Sequence, residues 1–221
     1  MREYTEFSHF ELDCMQLKQN RVGLLGGTFN PIHNGHLAMA YIALYEFLLG
    51  EVIFLPVGIP PHKKGEHIAP CDLRLDMINI AIADEKRFSV NTLELSRKGY
   101  TYTVDTLEIL TRENKNTEYY YIIGADTLFE LNTWKNFERV VFLTNFICIL
   151  RPGQDDDRVK KYVDEINNKF GYKFFIANDK GPNISSSFVR ALAIRNKLTA
   201  GFVPDNVARY LMQNRVYFKE D

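Results

Sequence analysis

The sequence predicts an α/β fold: a doubly wound parallel sheet of about six strands with a small helical part at the carboxyl end. Two observations point there. From Arg21 onward, short runs rich in β-branched and aromatic residues alternate with stretches of helical periodicity. The β-branched and aromatic runs, of which Tyr119-Tyr120-Tyr121-Ile122-Ile123 is typical, look buried on both faces, as in a parallel sheet. Strands that alternate with helices in this way are joined by right-handed crossovers.

Taken in order, residues 1–20 are polar, lack clear periodicity and read as an N-terminal extension. Residues 21–221 form a single domain with strands expected at 22–25, 52–57, 88–95, 119–123, 146–150 and 173–177. Helices are expected at 36–49, 73–83, 104–113 and 157–170. Two more close the chain, one starting at the serines 185–187 and one after Pro204 and Asp205. Residues 58–70 form the longest loop rich in Gly and Pro, and no internal repeat interrupts the pattern. In such sheets ligands bind where strands run out into loops at their carboxyl ends, so those loops carry the functional information.

Bulk composition narrows the partners. A chain of 221 residues suits one large α/β domain, and 46% hydrophobic with 25% charged residues is ordinary globular usage. A formal charge of -1 argues against a broad basic face for nucleic acid or an acidic membrane, so phosphate binding must rest on a few placed groups. Cys14, Cys71 and Cys148 form no CxxC pair, which indicates neither a disulfide framework nor a cysteine zinc site and fits a reducing cytoplasm. Residues 1–6 carry no basic start leading into an apolar stretch, so no signal peptide is expected. The apolar segment 37–49 is interrupted by Glu46 and is too short to span a bilayer.

The first strand runs into Gly26-Gly27-Thr28-Phe29-Asn30-Pro31-Ile32-His33-Asn34-Gly35-His36. Neither GxGxxG nor GxxxxGK[ST] is present, so this is not a dinucleotide fingerprint or a P-loop. Paired glycines let a phosphate or ribose approach the backbone, and Asn34-Gly35 opens a helix whose free N–H groups favour an anion. His33 and His36 stand three residues apart at that helix start, where both imidazoles can donate to one phosphoryl group. Spacing alone fits equally two surface histidines, or half of a metal site for which no third ligand is singled out. Near the other end, Ile184-Ser185-Ser186-Ser187-Phe188-Val189-Arg190 places serines at a helix start and an arginine one turn later. Taken alone, that segment reads more readily as an ordinary capped helix with a solvated arginine than as an anion site.

Together the two segments resemble the nucleotidyltransferase superfamily marked by HxGH after a first strand and ISSSxxR near the end. The resemblance implies a Rossmann-like sheet and ATP binding by Gly26, Gly27, Thr28, Phe29, His33, His36, Ile184, Ser186, Ser187 and Arg190. Further segments are similar to bacterial nicotinate-mononucleotide adenylyltransferases, over about residues 21–217. They are Pro60-Pro61-His62-Lys63-Lys64, the stretch from Glu94 to Leu107, Gly124-Ala125-Asp126 with Trp134, and Arg151-Pro152-Gly153. The family then implies a catalytic set of His33, His36, Lys63 and Arg190, which neutralise charge moving onto the leaving group. Pyridine-nucleotide contacts are implied for the N–H groups of Tyr102 and Thr103, for Asp126 on sugar hydroxyls, for Trp134 stacking on the ring, and for Arg151 on a carboxylate. Each also has a plain reading: a lone tryptophan usually packs, and a strand-end aspartate caps. Arg74 reaches either a phosphate or a surface acid. The chain departs from the family at Asn132, where proline is usual. The implied reaction joins ATP to nicotinate mononucleotide in the cytoplasm, with Mg2+ arriving on the ATP, no metal held by the protein, no nucleic acid, no membrane, and a homo-oligomer compatible with it. Nicotinamide mononucleotide or another phosphorylated acceptor is the alternative.

Overall fold

The computed structural model describes residues 20–58, 68–97, 99–195 and 201–218. Six parallel strands form one sheet: β1 (Arg21–Gly27), β2 (Glu51–Pro56), β3 (Phe88–Val90), β4 (Glu118–Gly124), β5 (Asn145–Ile149) and β6 (Phe174–Ile176). Their spatial order is β3-β2-β1-β4-β5-β6. The chain builds outward from β1 in one direction, returns to the centre, and builds outward in the other. A crevice therefore opens at the carboxyl ends of β1 and β4, where the winding reverses.

Helices cover both faces, as the apolar strands require. They are α1 (Asn34–Glu46), α2 (Cys71–Ile82), α3 (Thr103–Glu113), α4 (Ala125–Glu130), α5 (Phe137–Leu143), α6 (Asp156–Phe170), α7 (Ser186–Ile194) and α8 (Asp205–Gln213). Side chains alternate across the strands. Leu25, Tyr120, Ile122, Ile147 and Ile149 enter one core beside residues of α1, α2, α7 and α8, whereas Leu24, Tyr121, Ile123 and Cys148 enter the other beside α3, α5 and α6. Among the described residues no helix is long and apolar enough to cross a membrane.

All six expected strands are present, with one correction. The third was expected over 88–95 and ends at Val90. Asn91 stops it by accepting Leu93 N–H on its side chain, and Leu95 N–H then turns back to Thr92 O. A local side-chain bond of this kind competes with the ladder and wins at a sheet edge. Helices α4 and α5 were not anticipated. Ala125–Glu130 is short, and Phe137–Leu143 is an apolar run whose period does not separate helix from strand. The N-terminal extension, residues 1–19 in particular, and the lysine-bearing stretch at 59–67 lie outside the described residues.

Candidate active site

The loop after β1 leads directly into α1, and His33 is the cap of that helix. Its extended backbone turns the ring inward, where Nδ1 accepts His36 N–H at 3.3 Å. His36 Nδ1 in turn accepts His33 N–H at 3.2 Å. The two imidazoles bond each other's backbone reciprocally and stack with centroids 3.6 Å apart. Gly35 is what lets them do so, because a Cβ there would stand 2.9 Å from the His33 ring. With both Nδ1 atoms engaged as acceptors, each ring carries its proton on Nε2 and donates from there.

His33 is 3% exposed. Burial, aided by the nearby Arg151 cation, pushes its pKa down to about 3, so it is a neutral donor at neutral pH. Phe29 supports His36 edge-on at 4.9 Å from inside the core, with its own side chain buried. That leaves its backbone as the part able to meet a ligand.

Helix α7 is docked against the same loop. Ser185 caps it, Ser186 Oγ donates to Pro31 O at 3.0 Å, and Arg190 Nη1 donates to Asn30 O at 2.8 Å. Arg190 also reaches Ser187 Oγ at 3.2 Å, and buried Ile184 places its carbonyl beside Gly35. The two sequence motifs, about 150 residues apart, thus meet at one loop. Asn30 is the junction: besides Arg190 on its carbonyl, its side-chain oxygen accepts Ala69 N–H at 3.0 Å and the Tyr217 hydroxyl.

Beside this junction lies a cavity of about 560 Å³ at the carboxyl ends of β1 and β4. Gly26, Gly27, Thr28 and His36 line it together with Tyr102, Thr103, Asp126, Trp134 and Arg151. Tyr102 precedes α3 with extended backbone and no side-chain cap, so the opening N–H groups of that helix remain available. Asp126 stands at the start of α4 and accepts from Gln154 Nε2 at 3.3 Å, while Gln154 Oε1 takes Arg151 N–H at 2.7 Å. Lys63 lies outside the described residues.

Several groups in this cavity were not singled out from the sequence. Tyr121 packs edge-to-face on Trp134 with centroids 5.5 Å apart and carries its hydroxyl over Gly26. Glu94 lies under the loop before α3, accepting the Thr106 hydroxyl at 2.8 Å; burial raises its pKa. Lys135 ties its own loop to the start of α3, with its ammonium 4.4 Å from the Tyr102 ring centroid and 3.4 Å from Asp105. Tyr121 reads as a strand core residue and Lys135 as a surface lysine, so only the fold shows that they face a cavity. Arg74 is buried, and among the described residues it bonds backbone carbonyls and a thiol rather than a surface acid.

A model of the cytidylyltransferase-like family matches residues 24–192. The chain belongs to that family. Among its relatives is a "Probable nicotinate-nucleotide adenylyltransferase" of Clostridium novyi (strain NT), 37% identical over 89% of this chain and 98% of the relative. Another of the same description, from Symbiobacterium thermophilum, is 37% identical over 90% of this chain and 96% of the relative. Among solved structures, the Plasmodium falciparum nicotinic acid mononucleotide adenylyltransferase complexed with NaAD matches with a TM-score of 0.73, covering 90% of this chain and 98% of that one. At 19% identity this likeness establishes the Rossmann-like fold. The family resemblance carried by HxGH and ISSSxxR is upheld by these relatives. Among the described residues, no three His, Cys, Asp or Glu side chains are placed to hold a metal ion.

Proposed function

We infer that the protein transfers the AMP portion of ATP onto nicotinate mononucleotide, giving deamido-NAD and pyrophosphate as a step in NAD biosynthesis. One observation carries this reading. The loop joining the two nucleotidyltransferase motifs shares a single cavity with a tryptophan, an aspartate and uncapped helix N–H groups, so a nucleotide and a pyridine acceptor fit side by side. The relatives named for that reaction support it.

The chemistry asks little covalent work of the protein. The 5′-phosphate of the acceptor supplies an oxygen that attacks the α-phosphorus of ATP, the bond to the bridging oxygen breaks, and pyrophosphate leaves with the electron pair. Positioning and charge stabilisation suffice for such a displacement. His33 and His36 donate Nε2–H to the phosphoryl oxygens as charge grows there. His33 does so as a neutral group, whose strength is its fixed direction; Arg190 and Lys63 supply cationic charge. Ser186 and Ser187 hold the start of α7 against the phosphates, with Gly26, Gly27, Thr28 and Ile184 shaping the backbone around the nucleotide. On the acceptor side, Trp134 stacks on the pyridine ring, Asp126 takes the sugar hydroxyls, and the N–H groups at Tyr102 and Thr103 with Arg151 take the carboxylate.

The groups facing the nucleotide are mainly hydrogen-bond donors, which fit phosphate oxygens and leave a magnesium ion to be held by those oxygens and water. Bound there, the ion would draw charge from the leaving pyrophosphate. The cysteine usage supports a reducing cytoplasm, and the small net charge supports a reaction without nucleic acid as a partner.

Pyrophosphate release with ATP and each candidate acceptor tests the reading. Nicotinate mononucleotide with magnesium should turn over, and chelating the metal should stop it. Faster turnover of nicotinamide mononucleotide would reassign the acceptor, and no acceptor-dependent release would overturn adenylyl transfer.

A further inference from the structure

Arg74 sits on α2, away from both sequence motifs, and is 1% exposed. Its guanidinium has partners on three segments. Nη1 donates to Thr28 O at 2.7 Å and to Val57 O at 2.9 Å, Nε donates to Ala69 O at 3.1 Å, and Nη2 reaches Cys71 Sγ at 3.0 Å and Gly58 O at 3.4 Å. These partners satisfy its donors. None of them carries a charge.

Among the described residues no carboxylate bonds this buried guanidinium, and taking an ion out of water costs several kcal/mol unless an opposite charge is near. The four carbonyls soften that cost through their dipoles without cancelling the charge. Thr28, whose carbonyl receives the shortest of the bonds, belongs to the stretch that lines the cavity beside the histidines. A second cation holds the same loop: Arg190 Nη1 donates to Asn30 O at 2.8 Å, and the Tyr217 hydroxyl donates to the Asn30 side chain. The loop between β1 and α1 is therefore flanked by two guanidinium groups, one on α7 and one buried beneath it.

We propose that Arg74 is a positioning residue for ATP, holding the loop through Thr28 and serving as a buried cation that favours the triphosphate. The proposal rests on the adenylyl-transfer reading. It differs from a purely structural staple in one respect: what matters for the nucleotide is the charge, and what matters for folding is the fork of donors. In the interior the charge acts across a lower dielectric than water, so it need not touch the phosphates.

The experiment is calorimetric binding of magnesium-ATP and, separately, of nicotinate mononucleotide to the whole chain and to R74K and R74M, with melting curves for each. Both variants should melt lower than the parent protein, because both lose donors to buried carbonyls. R74M should bind ATP at least about tenfold more weakly, a difference of about 1.4 kcal/mol, while its affinity for the acceptor changes less than about threefold. R74K, which keeps a cation, should bind ATP within about threefold of the parent. If R74M binds ATP as the parent does, or if R74K weakens as much as R74M, the counter-charge role is wrong. Should R74M fail to fold, R74K decides alone: parental affinity supports the role and a tenfold loss overturns it. A parent protein that does not bind ATP would instead sink the adenylyl-transfer reading itself.

Discussion

At the scale of single residues, the two histidines show how position fixes chemistry. Their spacing was legible in the sequence; their tautomers and charge were not, because those follow from the reciprocal bonds to backbone N–H and from burial. Removing the His36 ring takes away a donor aimed at developing charge, so His36→Ala should lower kcat at least about a hundredfold with little change in melting temperature. Turnover within a few-fold of the parent would remove His36 from the mechanism. His33 makes a separate thermodynamic prediction. Its ordinary pKa of 6.5 falls to about 3 in the fold, so between those values the unfolded chain binds a proton that the folded chain refuses. The stability it permits is complete above pH 6.5 and is lost as pH falls toward 3. The loss approaches about 1.4 kcal/mol per pH unit. His33→Asn keeps a capping side chain without the titration. Relative to the parent, that variant should gain stability steadily on acidification through this window, read from denaturant melts at a series of pH values. Parallel curves would show that His33 is not held neutral.

At the scale of elements, the informative places are strand ends. The paired glycines after β1 read naturally as room for a ligand, and Gly26 does line the cavity. The fold adds an occupant from within the protein. A Cβ on Gly26 would lie 2.0 Å from the Tyr121 hydroxyl and 3.0 Å from the ring carbon that bears it. The adjacent strands β1 and β4 therefore need a glycine on one to seat the tyrosine of the other, and that tyrosine in turn braces Trp134. No single-strand pattern could show this, because the pairing of β1 with β4 joins segments about a hundred residues apart. Gly26→Ala should cost about 1–3 kcal/mol of overpacking. The double variant with Tyr121→Phe should recover part of it, since the nearest atom is gone and the ring carbon stays. Additive losses in chemical denaturation would mean that the two positions are not in contact.

At the scale of the whole molecule, the fold class was readable because the central strands are mostly apolar on both faces and every crossover is helical, two properties that leave few arrangements open. The site was readable in its motifs, HxGH and ISSSxxR, and in the strand-end residues Asp126, Trp134 and Arg151. What stayed hidden were contacts made by closure of the sheet: Arg74 beneath the first loop, Tyr121 over Gly26, and Lys135 against Tyr102 and Asp105. The topology makes a global prediction as well. All the functional loops lie at the carboxyl end of the sheet, whereas the turn formed by Asn114 and Thr117 lies at the opposite end, leading into β4. ATP binding at the junction of α1 and α7 should slow amide hydrogen exchange in residues 26–36 and 184–190 and leave residues 114–118 unchanged. Because exchange reports the opening of local segments, protection confined to one end locates the ligand without a bound structure. Uniform slowing across both ends would point to general stabilisation, and protection at 114–118 alone would place the nucleotide on the wrong side of the sheet.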